Sequence, residues 1–235
     1  MPRFVLNPKL HLAVLVLCAM AAFTPATKAD PFLPGTVLTA PTQTVFPGLV
    51  PPGTPAGTLL ATLLAPYSFT TTAGTTSGTL LTAVFREAGG TLDFYYQINN
   101  NANSATAIDR MTAVNFAGFL TSTGFRVDGA SLGFFVNGSV APITADRNAS
   151  GTTIGFSFSP PDGAKILPGL SSDVLVISTN ATAFRAGNAS LIDGGTQTVA
   201  AFQPSAPAVP EPTTMLLFGT GLVGVAGAAR RRFRK

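Results

Sequence analysis

Thr91-Leu92-Asp93-Phe94-Tyr95-Tyr96-Gln97-Ile98 alternates with period two. Leu92, Phe94, Tyr96 and Ile98 fall on one face; Asp93, Tyr95 and Gln97 fall on the other, which is the pattern of a strand with one buried side. Thr79 to Arg86, Ala130 to Val136, Thr152 to Phe158, Asp173 to Ser178 and Thr196 to Phe202 read the same way. Each is bounded by turn-forming residues such as Gly89-Gly90, Asn137-Gly138 and Gly194-Gly195. Asn137-Gly138 reads as a hairpin turn, because both residues tolerate positive φ. Ala107 to Leu120 offers the best helical stretch, but its β-branched residues and Gly118 suit a strand equally well. About eight short strands predict an antiparallel β-sandwich, Ig-like or jelly-roll-like. Fourteen Phe residues between Asp30 and Pro210 would furnish its core.

Before this region the chain carries Arg3 and Lys9, then the apolar stretch Leu10 to Phe23, then Thr27-Lys28-Ala29 with small residues suited to cleavage. That is the layout of a secretory signal peptide. Cleavage is expected after Ala29, with Ala26 as the alternative. Cys18 follows Leu17, whereas a lipidation site calls for Gly or Ala there, so no lipid anchor is expected.

After the region come Pro210-Glu211-Pro212, an uncharged apolar run from Thr213 to Ala229, and Arg230-Arg231-Arg232-Phe233-Arg234-Lys235. Seventeen helical residues span roughly 26 Å, just enough for a bilayer core. The cations behind them form a positive-inside stop, holding the C-terminus in the cytoplasm. These three parts in this order resemble the PEP-CTERM sorting signal. The resemblance implies an exported protein of Gram-negative bacteria whose tail is processed by an exosortase, a membrane protease-transpeptidase. It also implies passage through the secretion translocon, a transient inner-membrane stage, and delivery to the cell surface or the extracellular space.

The organisation is therefore read as residues 1–29 signal peptide, 30–57 Pro-rich extended segment, 58–203 β-sandwich, 204–212 Pro-rich linker, 213–229 transmembrane helix and 230–235 basic tail. Prolines 31, 34, 41, 47, 51, 52 and 55 confine the second segment to extended or edge structure. Leu167-Pro168-Gly169-Leu170-Ser171-Ser172-Asp173 and the strand after it resemble a turn and strand of Ig-like domains in bacterial surface proteins. Tyr95 to Gly118, with its Asn99-to-Asn103 loop, is similar to other exported PEP-CTERM proteins.

Charge and residue types exclude several functions. The chain carries +4 with a pI near 9.6, but eight of its 14 cations lie in the leader and tail. Between Asp30 and Glu211, six cations face ten carboxylates, a net −4. Nucleic acid has no electrostatic footing on such a surface. Cys18 and His11 are the only Cys and His, both in the leader, and there is no Trp. The exported region therefore lacks the usual zinc, copper and haem ligands and the residues of Ser-His-Asp or Cys-His catalysis. No cofactor and no enzymatic activity are expected.

Oxygen chemistry remains. Asp146-Arg147-Asn148-Ala149-Ser150-Gly151 opens like a calcium loop, but position 12 is Ser157 where a bidentate Glu belongs, so a polar turn is expected. Asn137, Asn148, Asn180 and Asn188 open N-glycosylation sequons, which arise by chance in a chain this rich in Asn, Ser and Thr, and no N-glycosylation is expected. Thr70 to Ser77, rich in Thr, is read as a solvated loop without O-linked sugars. Glu87, Asp93, Asp109 and Asp128 are the carboxylates from which a glycosidase pair would come. Tyr95, beside Asp93 and Gln97 on the polar strand face, is the best ligand contact. The leading expectation is a structural or adhesion protein associated with exopolysaccharide; the alternatives are a small carbohydrate-binding module and a carboxylate-dependent glycoside hydrolase.

On this reading, truncating Tyr95 should cost far less than truncating the core-facing Phe94. The exported region also holds no thiol, so a reductant should leave its melting temperature unchanged in differential scanning calorimetry.

Overall fold

A computed structural model of the chain describes residues 42–45, 47–160 and 164–206. The signal helix, its cleavage at Ala29, the transmembrane helix and the basic tail lie outside the described residues. Among the described residues no helix is long and apolar enough to cross a membrane.

Twelve strands form among the described residues: β1 (Thr42–Val45), β2 (Gly48–Leu49), β3 (Thr58–Thr71), β4 (Gly74–Arg86), β5 (Leu92–Asn100), β6 (Arg110–Val114), β7 (Thr121–Arg126), β8 (Thr144–Asn148), β9 (Thr153–Ser157), β10 (Val174–Thr179), β11 (Ala183–Ile192) and β12 (Thr196–Ser205). They make two six-stranded sheets, in the orders β1-β8-β9-β6-β11-β12 and β2-β7-β10-β5-β4-β3. All pairings are antiparallel except β2 with β7. The Pro-rich segment supplies β1 and β2, one at an edge of each sheet. Pro66 and Pro204 sit in β3 and β12, the opposite edges, where a missing N–H breaks no interior ladder.

The sheets enclose a core built from their alternating inward residues. Leu92, Phe94, Tyr96 and Ile98 of β5 and Leu175 and Ile177 of β10 face Met111 of β6, Ile154 and Phe156 of β9, and Leu191 of β11. This is the face the sequence assigned. Phe94 meets Phe116 edge-on at 5.7 Å. Tyr96, with no exposed surface, donates its hydroxyl to the Phe202 carbonyl of β12 at 3.1 Å and ties the sheets together.

The other face of β5 departs from expectation. Asp93, Tyr95 and Gln97 were placed on a solvated side, yet all three are buried. Ala130 to Val136 is the cause. It forms no strand; it begins as a 3-10 turn (Gly129–Leu132) and folds over the second sheet. Its Phe134 and Phe135 join Tyr95, Phe85, Val174 and Val176 in a second apolar cluster outside the sandwich. Tyr95 packs on Phe85 at 4.7 Å and Phe135 at 6.3 Å. Asn137-Gly138 is accordingly no hairpin turn: Asn137 Oδ1 accepts from the Ala130 N–H at 2.9 Å and caps the fold-over loop.

Three further readings are revised. Ala107 to Leu120 contains strand β6 and a loop, with no helix among its residues. Thr70 to Ser77 is the tip of the long β3–β4 hairpin rather than a loose loop; Thr70 and Thr75 hydroxyls pair at 3.0 Å, and Thr76 pairs with Thr106 at 2.6 Å. β12 runs two residues past the boundary drawn at Gln203.

Arg147 of β8 is 1% exposed. Its guanidinium donates to the carbonyls of Phe116 (2.8 Å), Phe119 (3.0 Å) and Gly151 (3.0 Å) and to the Thr121 hydroxyl (2.9 Å). It thereby fastens the β6–β7 crossing loop and the start of β7 to β8 of the first sheet. Burial draws its pKa downward, and these donations are what compensate the lost hydration.

With both faces of β5 covered, Phe94→Ala and Tyr95→Ala should be alike, each costing about 3–5 kcal/mol. Chemical denaturation of the two variants measures this directly. A Tyr95 loss several-fold smaller than the Phe94 loss would mean that the outer cluster does not form.

Candidate functional site

Residues Gly48 to Pro55 cross the outer surface of the second sheet and leave a cleft of about 370 Å³ beneath them. β2 can lie this close because Gly124 of β7 has no side chain; a Cβ there would stand 2.9 Å from the Gly48 carbonyl. The Val50 N–H then bonds the Phe125 carbonyl at 2.8 Å. Asp93 and Tyr95 form the floor, with Glu87, Ser122, Thr123 and Ser178 around them.

Two of the three residues nominated from the strand pattern therefore share the cleft, although neither forms an exposed shelf. Asp93 is 7% exposed and Tyr95 3%. Gln97 is not in the cleft. Its Nε2 donates to the carbonyls of Val136 (2.8 Å) and Ser172 (2.9 Å), and its Oε1 accepts from the Val136 N–H (3.0 Å). Gln97 is a strut for the fold-over loop, and its side chain is committed there.

The carboxylates separate. Glu87 and Asp93 line the same cleft. Asp109 lies elsewhere, held by Lys165 at 2.7 Å, and burial raises its pKa. Asp128 grips Arg126. Burial pushes the Tyr95 hydroxyl up to about 12 against the opposing influence of the nearby Arg126 cation, so it remains protonated at neutral pH and able to donate. Hydroxyls and carboxylates around a buried ring suit a polyol, which both donates and accepts hydrogen bonds.

The calcium-like stretch is the end of β8 and the turn that leads into β9. Asp146 is engaged by Arg110, whose Nη2 donates to Oδ2 at 2.7 Å. Asn148 Oδ1 accepts from the Thr153 N–H at 3.0 Å, and Gly151 closes the turn at φ +70°. Among the described residues no three His, Cys, Asp or Glu side chains gather as a metal site.

The clamp beside the cleft carries no signature in the sequence. Arg126 of β7, 1% exposed, donates from Nε and Nη2 to both oxygens of Asp128 at 3.0 Å. Asp128 Oδ2 also accepts from the Gly53 N–H at 2.8 Å, so one carboxylate anchors the segment that roofs the cleft. Arg126 holds that carboxyl down at about 2, helped by the Gly53 N–H and opposed by desolvation.

A carboxyl depressed in the folded state stabilises fully above its ordinary titration range and loses that effect as pH falls toward 2. At neutral pH Asp128→Asn should cost about 3 kcal/mol, since it leaves a buried guanidinium without its counter-ion. The gap between variant and wild type should narrow from pH 4 to pH 2. Thermal melts across that range check both statements.

Comparison with curated proteins and with solved structures returned no match. A match to a protein family covers residues 208–232, just beyond the last described strand. It includes Pro210, Glu211, Pro212 and Arg230 to Arg232; Arg234 and Lys235 follow it. The matched family is the PEP-CTERM protein-sorting motif, and the chain carries that motif.

Proposed function

We propose that this is a non-enzymatic surface or extracellular-matrix protein associated with exopolysaccharide. The observation that carries the reading is the sorting motif at residues 208–232, which marks an exported chain handled by an exosortase-type enzyme. On this reading the chain crosses the secretion translocon and loses its leader after Ala29. It then pauses in the inner membrane on residues 213–229 and is released to the cell surface when its tail is processed. The chain passes between the sheets at β1–β2, β5–β6, β6–β7, β7–β8, β9–β10 and β10–β11, which supports the jelly-roll-like form of the sandwich over the Ig-like one. The sandwich presents few charges, and its exported region holds no nucleophile-base pair of the His-dependent kind.

A second reading is favoured by the cleft over Asp93 and Tyr95. A pocket of about 370 Å³ with hydroxyl and carboxylate walls has the dimensions and chemistry for one sugar unit. Under this reading the domain is a small carbohydrate-binding module.

The sorting step is tested in the native host by fractionation with C-terminal sequencing. Replacing Arg230, Arg231, Arg232, Arg234 and Lys235 by Ser should let part of the population slip through the membrane unprocessed. Glu211→Ala should leave insertion intact and block removal of the tail. A wild-type protein that stayed in the inner membrane with Lys235 as its last residue would reduce the tail to an ordinary anchor.

A further inference from the structure

A second cleft, of about 600 Å³, opens between the β6–β7 connection and the end of β12. We propose that it binds the carboxylate of an acidic polysaccharide, a uronate-type sugar unit. The proposal deepens the exopolysaccharide reading and rests on it.

Arg185 of β11 is the cation of this cleft. Its side chain is exposed, and none of the ion pairs among the described residues includes it. Of the other five cations, Arg110, Arg126 and Lys165 are each paired with a carboxylate and Arg147 is buried. Arg86 is exposed and in none of those ion pairs, but it lines neither cleft. Arg185 instead leans on a neutral group. With the Gln203 amide oriented to satisfy its neighbours, its oxygen accepts from Arg185 Nε at 2.8 Å and Nη2 at 3.2 Å. That contact fixes the guanidinium without neutralising it and leaves its Nη1 edge for an incoming acceptor.

The support beneath is built in. Gln203 is 4% exposed, and its side chain lies across Gly187; a Cβ there would stand 2.2 Å from the amide. In that orientation the Gln203 oxygen also accepts from Asn115 Nδ2 at 3.2 Å. Asn115 is also the one non-glycine residue with positive φ (69°) among the described residues, a conformation that collects at ligand sites. Phe119 forms the apolar wall.

The chemistry points to an acid sugar. A preorganised, uncompensated guanidinium selects a planar carboxylate. An amide such as Asn115 reads ring hydroxyls, and an aromatic face covers the apolar side of a pyranose. A neutral glucan would use the amide and the ring but make no call on Arg185.

The full chain with its five tail cations replaced by Ser, held in a non-ionic detergent, removes the tail as a rival polyanion site. It is applied to immobilised polygalacturonate, to dextran and to exopolysaccharide purified from the native host. Binding to polygalacturonate is expected. Arg185→Gln should weaken it about tenfold at an unchanged melting temperature, Arg185→Lys less, and Phe119→Ala several-fold. An Arg185→Gln protein that binds polygalacturonate as tightly as its parent overturns the proposal. Retention on host exopolysaccharide or dextran without any on polygalacturonate overturns it while sparing the parent reading. Retention on none of the three overturns both.

Discussion

Strand β5 lies between β4 and β10 and is covered above and below, so its nine residues see almost no water. Inward, Phe94 and Tyr96 fill the space between the sheets; outward, Tyr95 is sealed by Phe85 and Phe135. Desolvation on both sides makes an unpartnered polar group on the strand costly. Gln97 escapes that cost by spanning Val136 and Ser172, and the loop from Gly129 to Val140 is pinned as a result. The cleft over Asp93 and Tyr95 exists because the outer cover of β5 is divided between two segments, Gly48–Pro55 and the fold-over loop, and does not close over the strand.

The two buried arginines answer a related constraint. Connections that cross between sheets carry backbone carbonyls into places water does not reach. Arg147 gathers the carbonyls of one such loop, and Arg126 with Asp128 holds the N-terminal roof. In a domain without disulfides, these cations do work that a covalent link would otherwise do for irregular chain.

The sequence made the inward half of this fold legible. Period two in Leu92 to Ile98 named the core face, and prolines at 66 and 204 fell at sheet edges as their missing donors require. The outward half was hidden, for a physical reason. Asp93, Tyr95 and Gln97 look like a wet face because alternation reports side-chain polarity and says nothing of what folds over it. Ala130 to Val136 has the composition of a strand, yet it packs Phe134 and Phe135 over the sheet face in place of pairing with an edge. Nothing local marks Arg147, whose guanidinium is destined for carbonyls 28 and 31 residues away, or shows that Arg126 is buried against Asp128 two residues on. Of the nominated site, Asp93 and Tyr95 meet in one cleft and Gln97 does not. The Arg185 cleft joins three separated strand ends, which no local window could assemble. The sorting motif, by contrast, is contiguous and was fully readable.

β12 ends at Ser205, and the Pro-Glu-Pro triplet begins five residues later, a reach of at most about 18 Å even at full extension. The folded domain and the segment read as its membrane tether are thus mechanically in series with almost no slack. Any tension on the tail enters through β12, an edge strand held by one ladder to β11 and by Val199 and Ala201 inside. The load path then runs from β12 through Tyr96 into β5. Were residues 213–229 held in a membrane, the strand nearest them would be the weak link under drag and the doubly covered strand behind it the stop.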